Sequence, residues 1–416
     1  MGSQAKSSPR IRKLCSAAMV SPIATVQLHR SHAAPIAAGH PWVFAQAVAR
    51  VVGSPQPGDE VRVVDPTDRA LGRGFWSPDS AIVVRLLTRS DEQPLDESLF
   101  ARRVAEALAT RRLLGLPSAA TTGYRLIHAE GDGVPGLIVD VYGDVLVVQL
   151  LTIGIVQRSA QIVAALVAAL SPRAIVVGGS STGGRKAEGD AVEGALLYGE
   201  PVDALVFKER ELDFSLATGS TQKTGYYFDQ REHRAEVERL AHGRDVLDAC
   251  SYVGGFSLAA ARGGARSVLA LDSSQPALAL GEALALQNGL SQVRFQRADV
   301  RDELDRLASA GNKYDLVIFD PPKFVPTIKH LEKGRRAYRK LNAHAIRLVA
   351  PGGLLVTCSC SAALTEVDFL RMLAFAAGDA RRELSIFRVG KQSPDHPLLP
   401  GFGEGSYLKT AFAIVR

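Results

Sequence analysis

Apolar positions repeat with two different periods along this chain, and the change of period divides it. From Val26 to about Arg89 they come in short alternating runs broken by turn residues, with Gly39-His40-Pro41-Trp42-Val43-Phe44 near the start and Pro57-Gly58-Asp59 as a later turn. That pattern predicts short strands closing a small β-barrel. Between Pro94 and Leu116 the spacing becomes helical and stops at Gly115 and Pro117, which predicts a bridging helix. Tyr124 to Gln149 returns to strand pairs around Gly131-Asp132-Gly133 and Tyr142-Gly143-Asp144, followed by a helix from Gln157 to Leu170 and a strand from Ala174 to Val177. The glycine-rich stretch Gly178 to Gly189 is read as a mobile loop.

From about Arg244 the alternation of strand and helix is regular. Apolar strands are predicted at Asp245–Ala249, Val268–Leu271, Val293–Arg297, Asp315–Phe319 and Leu354–Thr357, with helical stretches between them. Such alternation implies a parallel sheet covered by helices on both faces. Ser385 to Val389 and Tyr407 to Val415 complete a seven-stranded α/β sheet. Ligands bind at the carboxyl ends of such strands, and Asp248, Asp272, Asp299 and Asp320 all fall at these ends.

Composition narrows the class without deciding it. At 416 residues two or three domains are expected, and 46% apolar residues suffice for real cores. No apolar run approaches the roughly 18 residues of a membrane span. The net charge of +6, from 49 basic and 43 acidic residues, gives little support for a polyanionic partner by itself. The basic excess is local, at Arg10 to Lys13, Arg102 to Arg112 and Arg335 to Lys340. Four cysteines form neither a disulfide framework nor zinc knuckles, so no metal is expected and a reducing cytoplasm is. Residues 1–22 carry no acid up to Val20; they resemble a transit peptide superficially and are read as a disordered tail, with a start near Met19.

The chemistry lies in three strings. Val246 to Phe256, V-L-D-A-C-S-Y-V-G-G-F, is a strand, a glycine-containing turn and an alanine-rich helix, the opening of a nucleotide-binding α/β unit. It lacks G-x-G-x-x-G, so no pyrophosphate site is evident. S-adenosylmethionine carries an adenosine without phosphate and suits what remains. Asp272 is expected to hold the ribose hydroxyls and Asp299 the adenine amino group; helix N-caps are the structural alternative for both. The other strings are Asp320-Pro321-Pro322-Lys323-Phe324 and Thr357-Cys358-Ser359-Cys360-Ser361.

With these strings placed, the chain resembles the RlmI-like family of S-adenosylmethionine-dependent large-subunit (23S) ribosomal RNA cytosine-5 methyltransferases. The likeness runs from about Val26 onward. It rests on Arg30 through Gly39-His40-Pro41-Trp42-Val43-Phe44, on Gln222-Lys223-Thr224-Gly225-Tyr226-Tyr227-Phe228-Asp229-Gln230-Arg231, on the cofactor loop, on D-P-P-K-F and on S-C-S. The resemblance implies a PUA domain over 23–95, a linker helix and central α+β domain over 96–205, and a Rossmann-like class I methyltransferase domain over 206–416, assembled as a homodimer.

Cytosine carbon 5 is a poor nucleophile, so a thiolate must first add to carbon 6. The family pattern points to Cys360 as that thiol; Cys358 is an additional cysteine, read with Cys250 as a small buried residue. Asp320 is the expected acid at ring nitrogen 3. The cofactor is expected to meet Asp248, Ser251, Tyr252, Gly254, Phe256, Asp272, Asp299, Asp320, Lys223 and Asp229. Lys223, Asp229 and Arg231 are read as lining the cofactor or RNA, or as locking a loop. Arg30, His40, Trp42 and Lys323 are expected to meet RNA. Tyr226, Tyr227 and Phe228 are read as a lid, a stacking platform or core; His128 and His233 as structural. Two rival readings are an exocyclic-amine methyltransferase, against which Lys323 interrupts the D-P-P-aromatic pattern, and a non-catalytic RNA-binding assembly factor.

Overall fold

The structure is a computed structural model that describes residues 23–179, 193–218, 224–325 and 328–416. Residues 1–22, Lys223 and most of the stretch read as a mobile loop lie outside the described residues. The first sheet has six strands, β1 (Ala24–Leu28), β2 (Trp42–Phe44), β3 (Val48–Val52), β4 (Glu60–Val64), β5 (Ala70–Trp76) and β6 (Ile82–Thr88), in the order β2-β6-β5-β4-β1-β3. Helix α1 (Arg30–Ala37) lies between its first two strands. Val26, Val61, Val63 and Val84 fill its core.

Helix α2 (Glu97–Leu113) is the bridging helix. Asp96 caps it by accepting from Ser98 N at 3.0 Å, Glu97 sits in the first turn, and Arg111 and Arg112 in the last, the charge order that a helix dipole favours. It packs on a five-stranded sheet of β7 (Gly123–His128), β8 (Leu137–Tyr142), β9 (Val145–Leu150), β10 (Ala174–Val177) and β11 (Leu196–Gly199), ordered β11-β10-β9-β8-β7. Helices α3 (Ile153–Gln157) and α4 (Ser159–Leu170) connect β9 to β10. A hairpin, β12 (Ala204–Glu209) with β13 (Leu212–Ala217), follows. The domain division expected between residues 205 and 206 falls inside β12. The register of the hairpin keeps both strands together, and buried Arg234 fastens β12 to the next unit through Glu209 at 2.5 and 2.7 Å.

That unit is the seven-stranded sheet: β14 (Asp245–Ala249), β15 (Ser267–Asp272), β16 (Val293–Arg297), β17 (Tyr314–Phe319), β18 (Val349–Ser359), β19 (Leu384–Gly390) and β20 (Lys409–Val415). Their order is β16-β15-β14-β17-β18-β20-β19, parallel except for β20, which runs antiparallel to both neighbours. Helices α5 (Arg231–Leu240) and α6 (Gly255–Arg262) share a core with one face. Helices α8 (Val300–Ser309), α9 (Leu331–Leu348) and α10 (Glu366–Ala380) cover the other, and α7 (Gln275–Gln287) packs toward the hairpin. Among the described residues no helix is long and apolar enough to cross a membrane, and no group of His, Cys, Asp and Glu is arranged to hold a metal.

Candidate active site

The strand tips carry the sequence motifs to one edge of the sheet. After β14 the chain folds back through Cys250 (φ +68°), Tyr252 (φ +52°) and Gly254 (φ +82°) before α6. Two non-glycine residues in left-handed conformation cost on the order of 1 kcal/mol each, a strain characteristic of ligand loops. At Gly254 a Cβ would stand 2.8 Å from the Phe295 ring, so only glycine fits. The loop is held by its neighbours: Asp272 at the tip of β15 accepts from Tyr252 N and Ser274 N, both at 2.9 Å, and Tyr252 Oη donates to Gly225 O at 3.1 Å.

These residues fit S-adenosylmethionine. Each Asp272 oxygen accepts one backbone N–H and keeps a lone pair, the requirement for two ribose hydroxyls. Asp248 is fully buried beneath the loop, with Oδ2 accepting from Ser257 Oγ at 2.6 Å. Its Oδ1 and the buried Ser251 Oγ have no hydrogen-bond partner among the described residues, which leaves polar capacity at the loop for the cofactor's amino-acid end. Burial pushes the Asp248 carboxyl up to about 7. Two further assigned residues have protein contacts of their own. Phe256 packs into the core with Val246, Val268 and Leu316, and the exposed Asp299 caps α8 by accepting from Arg301 N at 2.9 Å.

Opposite this loop stand the tips of β17 and β18, paired with Phe319 beside Thr357. Asp320 follows the first and Cys360 the second. Burial, then the carboxylates of Asp229 and Asp248, push the Asp320 carboxyl up to about 7. Cys360 is part-exposed, whereas Cys358 is fully buried, accepts from Thr410 Oγ1 at 3.3 Å and is raised well above the ordinary thiol range by burial. Cys250, expected as a small buried residue, is part-exposed like Cys360; burial and the carboxylates of Asp272, Asp320, Asp248 and Asp299 raise its thiol well above the ordinary range. Tyr227 marks where the motifs converge: burial raises its phenol, and so do the nearby Tyr252, Asp229, Asp320 and Cys360. Its ring meets Tyr252 edge-on at 5.5 Å. Tyr226 and Phe228, by contrast, are core, in an aromatic cluster with Tyr142, Phe207 and Phe214.

Sequence reasoning missed the segment that locks this edge. Asp229 Oδ2 accepts from Tyr407 Oη at 2.7 Å, and Ser393 N and Oγ donate to Asp229 O at 2.9 and 3.0 Å. Asp395 accepts from Arg231 Nη1 at 2.9 Å and from Arg125 N at 3.0 Å, while its backbone oxygen accepts from Arg111 Nη2 at 2.8 Å. Arg231 thus locks a loop, one of the roles expected of it. The stretch 391–396 has no motif spacing, and only its isolated Asp395-His396 pair in an apolar setting could have drawn attention.

His40 and Trp42 meet protein. Trp42 Nε1 donates to Glu130 at 2.8 Å, its ring lies edge-on to Phe402 at 4.6 Å, and His40 Nε2 is 3.5 Å from Glu404. Arg30 and Lys323 are exposed.

A class I sheet with an acid at the tip of β15, a strained loop after β14 and D-P-P after β17 defines an S-adenosylmethionine-dependent methyltransferase. A family model with that description matches residues 160–399, and a PUA-like domain model matches 26–89. The chain belongs to the ribosomal RNA large subunit methyltransferase I family. It is 39% identical to the protein of that name from Erwinia tasmaniensis, covering 89% of this chain and 94% of the relative. To that from Tolumonas auensis it is 38% identical over 92% and 98%. Among solved structures, a putative methyltransferase complexed with SAH shares the fold at a TM-score of 0.81 and 21% identity, over 94% of this chain and 99% of that one. A putative SAM-dependent methyltransferase from Streptococcus mutans gives 0.80 and 22% over the same shares.

Proposed function

We propose that this methyltransferase methylates carbon 5 of a cytosine in large-subunit ribosomal RNA through a transient adduct on Cys360. The observation that carries the reading is the pair of neighbouring strand tips: one bears Asp320 and the other the part-exposed thiol of Cys360, whereas Cys358 is fully buried and the part-exposed Cys250 lies at the tip of β14. The relatives' names support the RNA class. The exposed cations Lys323, Lys329, Lys333, Arg336 and Lys340 beside the D-P-P loop support a phosphate-bearing substrate.

Bound S-adenosylmethionine supplies an electrophilic methyl group on a sulfonium sulfur. The Cys360 thiolate adds to carbon 6, and the ring's electron pair passes to carbon 5, which would take the methyl group as its bond to the sulfonium sulfur breaks and S-adenosylhomocysteine leaves. Asp320, poised near neutrality, donates a proton to nitrogen 3 as charge builds there. Loss of the carbon-5 proton to solvent restores the double bond and expels the thiolate; nitrogen 3 returns its proton to Asp320. Asp248, Ser251, Tyr252, Gly254 and Asp272 hold the cofactor, Asp299 keeps Oδ2 for the adenine amino group, and Asp229 orders the wall. Lys223 is kept in this set on the family motif alone. Arg30 and Lys323 contact RNA. A three-domain division goes with this reading, its last boundary set before β12 rather than at 205/206, as does a cytoplasmic homodimer, for which the apolar face of α4 beside Leu197 and the half-exposed Tyr198 of edge strand β11 is the supporting surface. Sedimentation gives the mass.

RNA carrying 5-fluorocytosine tests the chemistry, because fluorine at carbon 5 blocks the proton loss that frees the enzyme. Wild type forms a denaturation-resistant adduct, Cys358→Ala forms it too, and Cys360→Ala forms none. Full activity in Cys360→Ala overturns the reading in favour of amine methylation.

A further inference from the structure

Lys409 opens β20, and its side chain is buried at 2% exposure. The register sets it opposite Ser359, one residue before Cys360. Its Nζ reaches across the following turn and donates to Ser361 O and Leu364 O, both at 2.7 Å. Those bonds use two of the three ammonium N–H groups and hook the backbone just beyond Cys360. Carbonyls satisfy hydrogen bonds but bring no formal charge, and a buried cation without a counter-charge is costly. A neutral side chain would fill the space more cheaply, and the chemistry derived above leaves this cation unused.

We propose that Lys409 is a positioning residue for the methyl transfer: its buried ammonium fixes the turn that follows Cys360 and supplies the positive field that holds Cys360 as a thiolate. The inference rests on the reading of Cys360 as nucleophile. The surroundings agree. Around Lys409 stand Lys391, Lys323 and Glu366, the last paired with Lys391 at 2.8 Å. Burial draws the Lys409 ammonium down to about 8, and a charge on Cys360 draws it back up. Tyr227, Tyr338 and Tyr407 also face Cys360, and burial raises all three phenols, Tyr338 to about 12, so they stay neutral near pH 7. Asp320 and Cys358 share the neighbourhood. Cations therefore have to outweigh the Asp320 carboxylate, and Lys409 is the one bonded to the thiol's own turn.

Site-resolved alkylation by iodoacetamide between pH 5 and 10, read on the Cys360 peptide of the full chain, measures the thiol directly. In wild type the midpoint is expected below the ordinary thiol value of about 8.5; a midpoint at or above it overturns the proposal without any variant. Lys409→Gln keeps a donor for the carbonyls and removes the charge. It is expected to raise the midpoint by about one unit or more, lowering single-turnover methylation at pH 7 about tenfold while S-adenosylhomocysteine still binds. Lys409→Arg restores the midpoint. An unchanged midpoint in Lys409→Gln sinks the proposal. Should the midpoints move as expected while Cys360→Ala stays active, the coupling stands and the covalent reading fails.

Discussion

Gln230 donates from Nε2 to Asp320 Oδ2 at 3.0 Å, while its Oε1 lies 2.5 Å from His233 Nδ1. The orientation of the D-P-P carboxylate is thereby set from the F-D-Q-R segment, a different motif on a different element. Burial holds His233 near 4, so at neutral pH the imidazole is uncharged and its Nδ1–H can donate to the amide oxygen.

Asp320→Asn tests the acid role through pH. The active form is the protonated carboxyl, whose value near 7 means that its fraction falls as pH rises above 7. The wild-type profile of kcat/KM is expected to be bell-shaped, rising with the thiolate and falling with Asp320. Asparagine should lower the rate by about 10²-fold or more and abolish the falling limb. A variant that keeps that limb contradicts the assignment.

Asp272→Ala removes the acceptor for Tyr252 N and Ser274 N together with the lone pairs offered to the cofactor. Calorimetry with S-adenosylhomocysteine should show an affinity loss of about tenfold or more, roughly 1.4 kcal/mol per factor of ten. Unchanged affinity rules out the ribose role.

Asp395→Ala removes the buried partner of Arg231 and leaves it only the half-exposed Glu232 at 3.5 Å, which should destabilise by about 3 kcal/mol, read as a lower urea midpoint at pH 7. The bonds from His396 and Arg231 hold the Asp395 carboxyl far below the ordinary carboxylate range against its burial. A depressed acid contributes fully above its unfolded value near 4 and loses that contribution as pH falls further. The gap between wild type and variant should thus be level from pH 6 to 8 and narrow only in strong acid; a gap that widens in acid refutes the linkage.

Trp42→Ala separates two roles for the G-H-P-W motif. Its observed partners, Glu130 and Phe402, predict faster proteolysis between Thr88 and Glu97, with S-adenosylhomocysteine binding unchanged. Unaltered proteolysis with weakened RNA binding would return Trp42 to the RNA face.

Strand and helix placement in the methyltransferase sheet was legible because apolar runs of strand length alternate with helical stretches, and several strands carry an acid at or just beyond their tips, such as Asp248 and Asp320. The N-terminal strands were legible from their turn residues. Partners separated by long stretches of chain were not. Nothing local in Trp42 points to Glu130, 88 residues away, or in Arg125 to Asp395, 270 residues away, because such pairs form only once the sheets are stacked. Phe256 misled because a loop motif continues smoothly into α6, whose inward face takes the ring into the core. Lys409 was invisible for the opposite reason: one lysine at the start of a strand carries no signal until its register with Ser359 is known.

The order β18-β20-β19 bears on how the chain reaches its native state. β20 follows β19 in sequence but sits inside the sheet, bonded on both sides, so β18 is paired on its β17 side alone and β19 has no native partner until residues 409–415 thread between them. Until then the maturing protein presents two unsatisfied strand edges, a state prone to sticking to other chains. Any slowing of that final insertion should cost yield of folded protein through aggregation, with the fully formed enzyme no less stable than before.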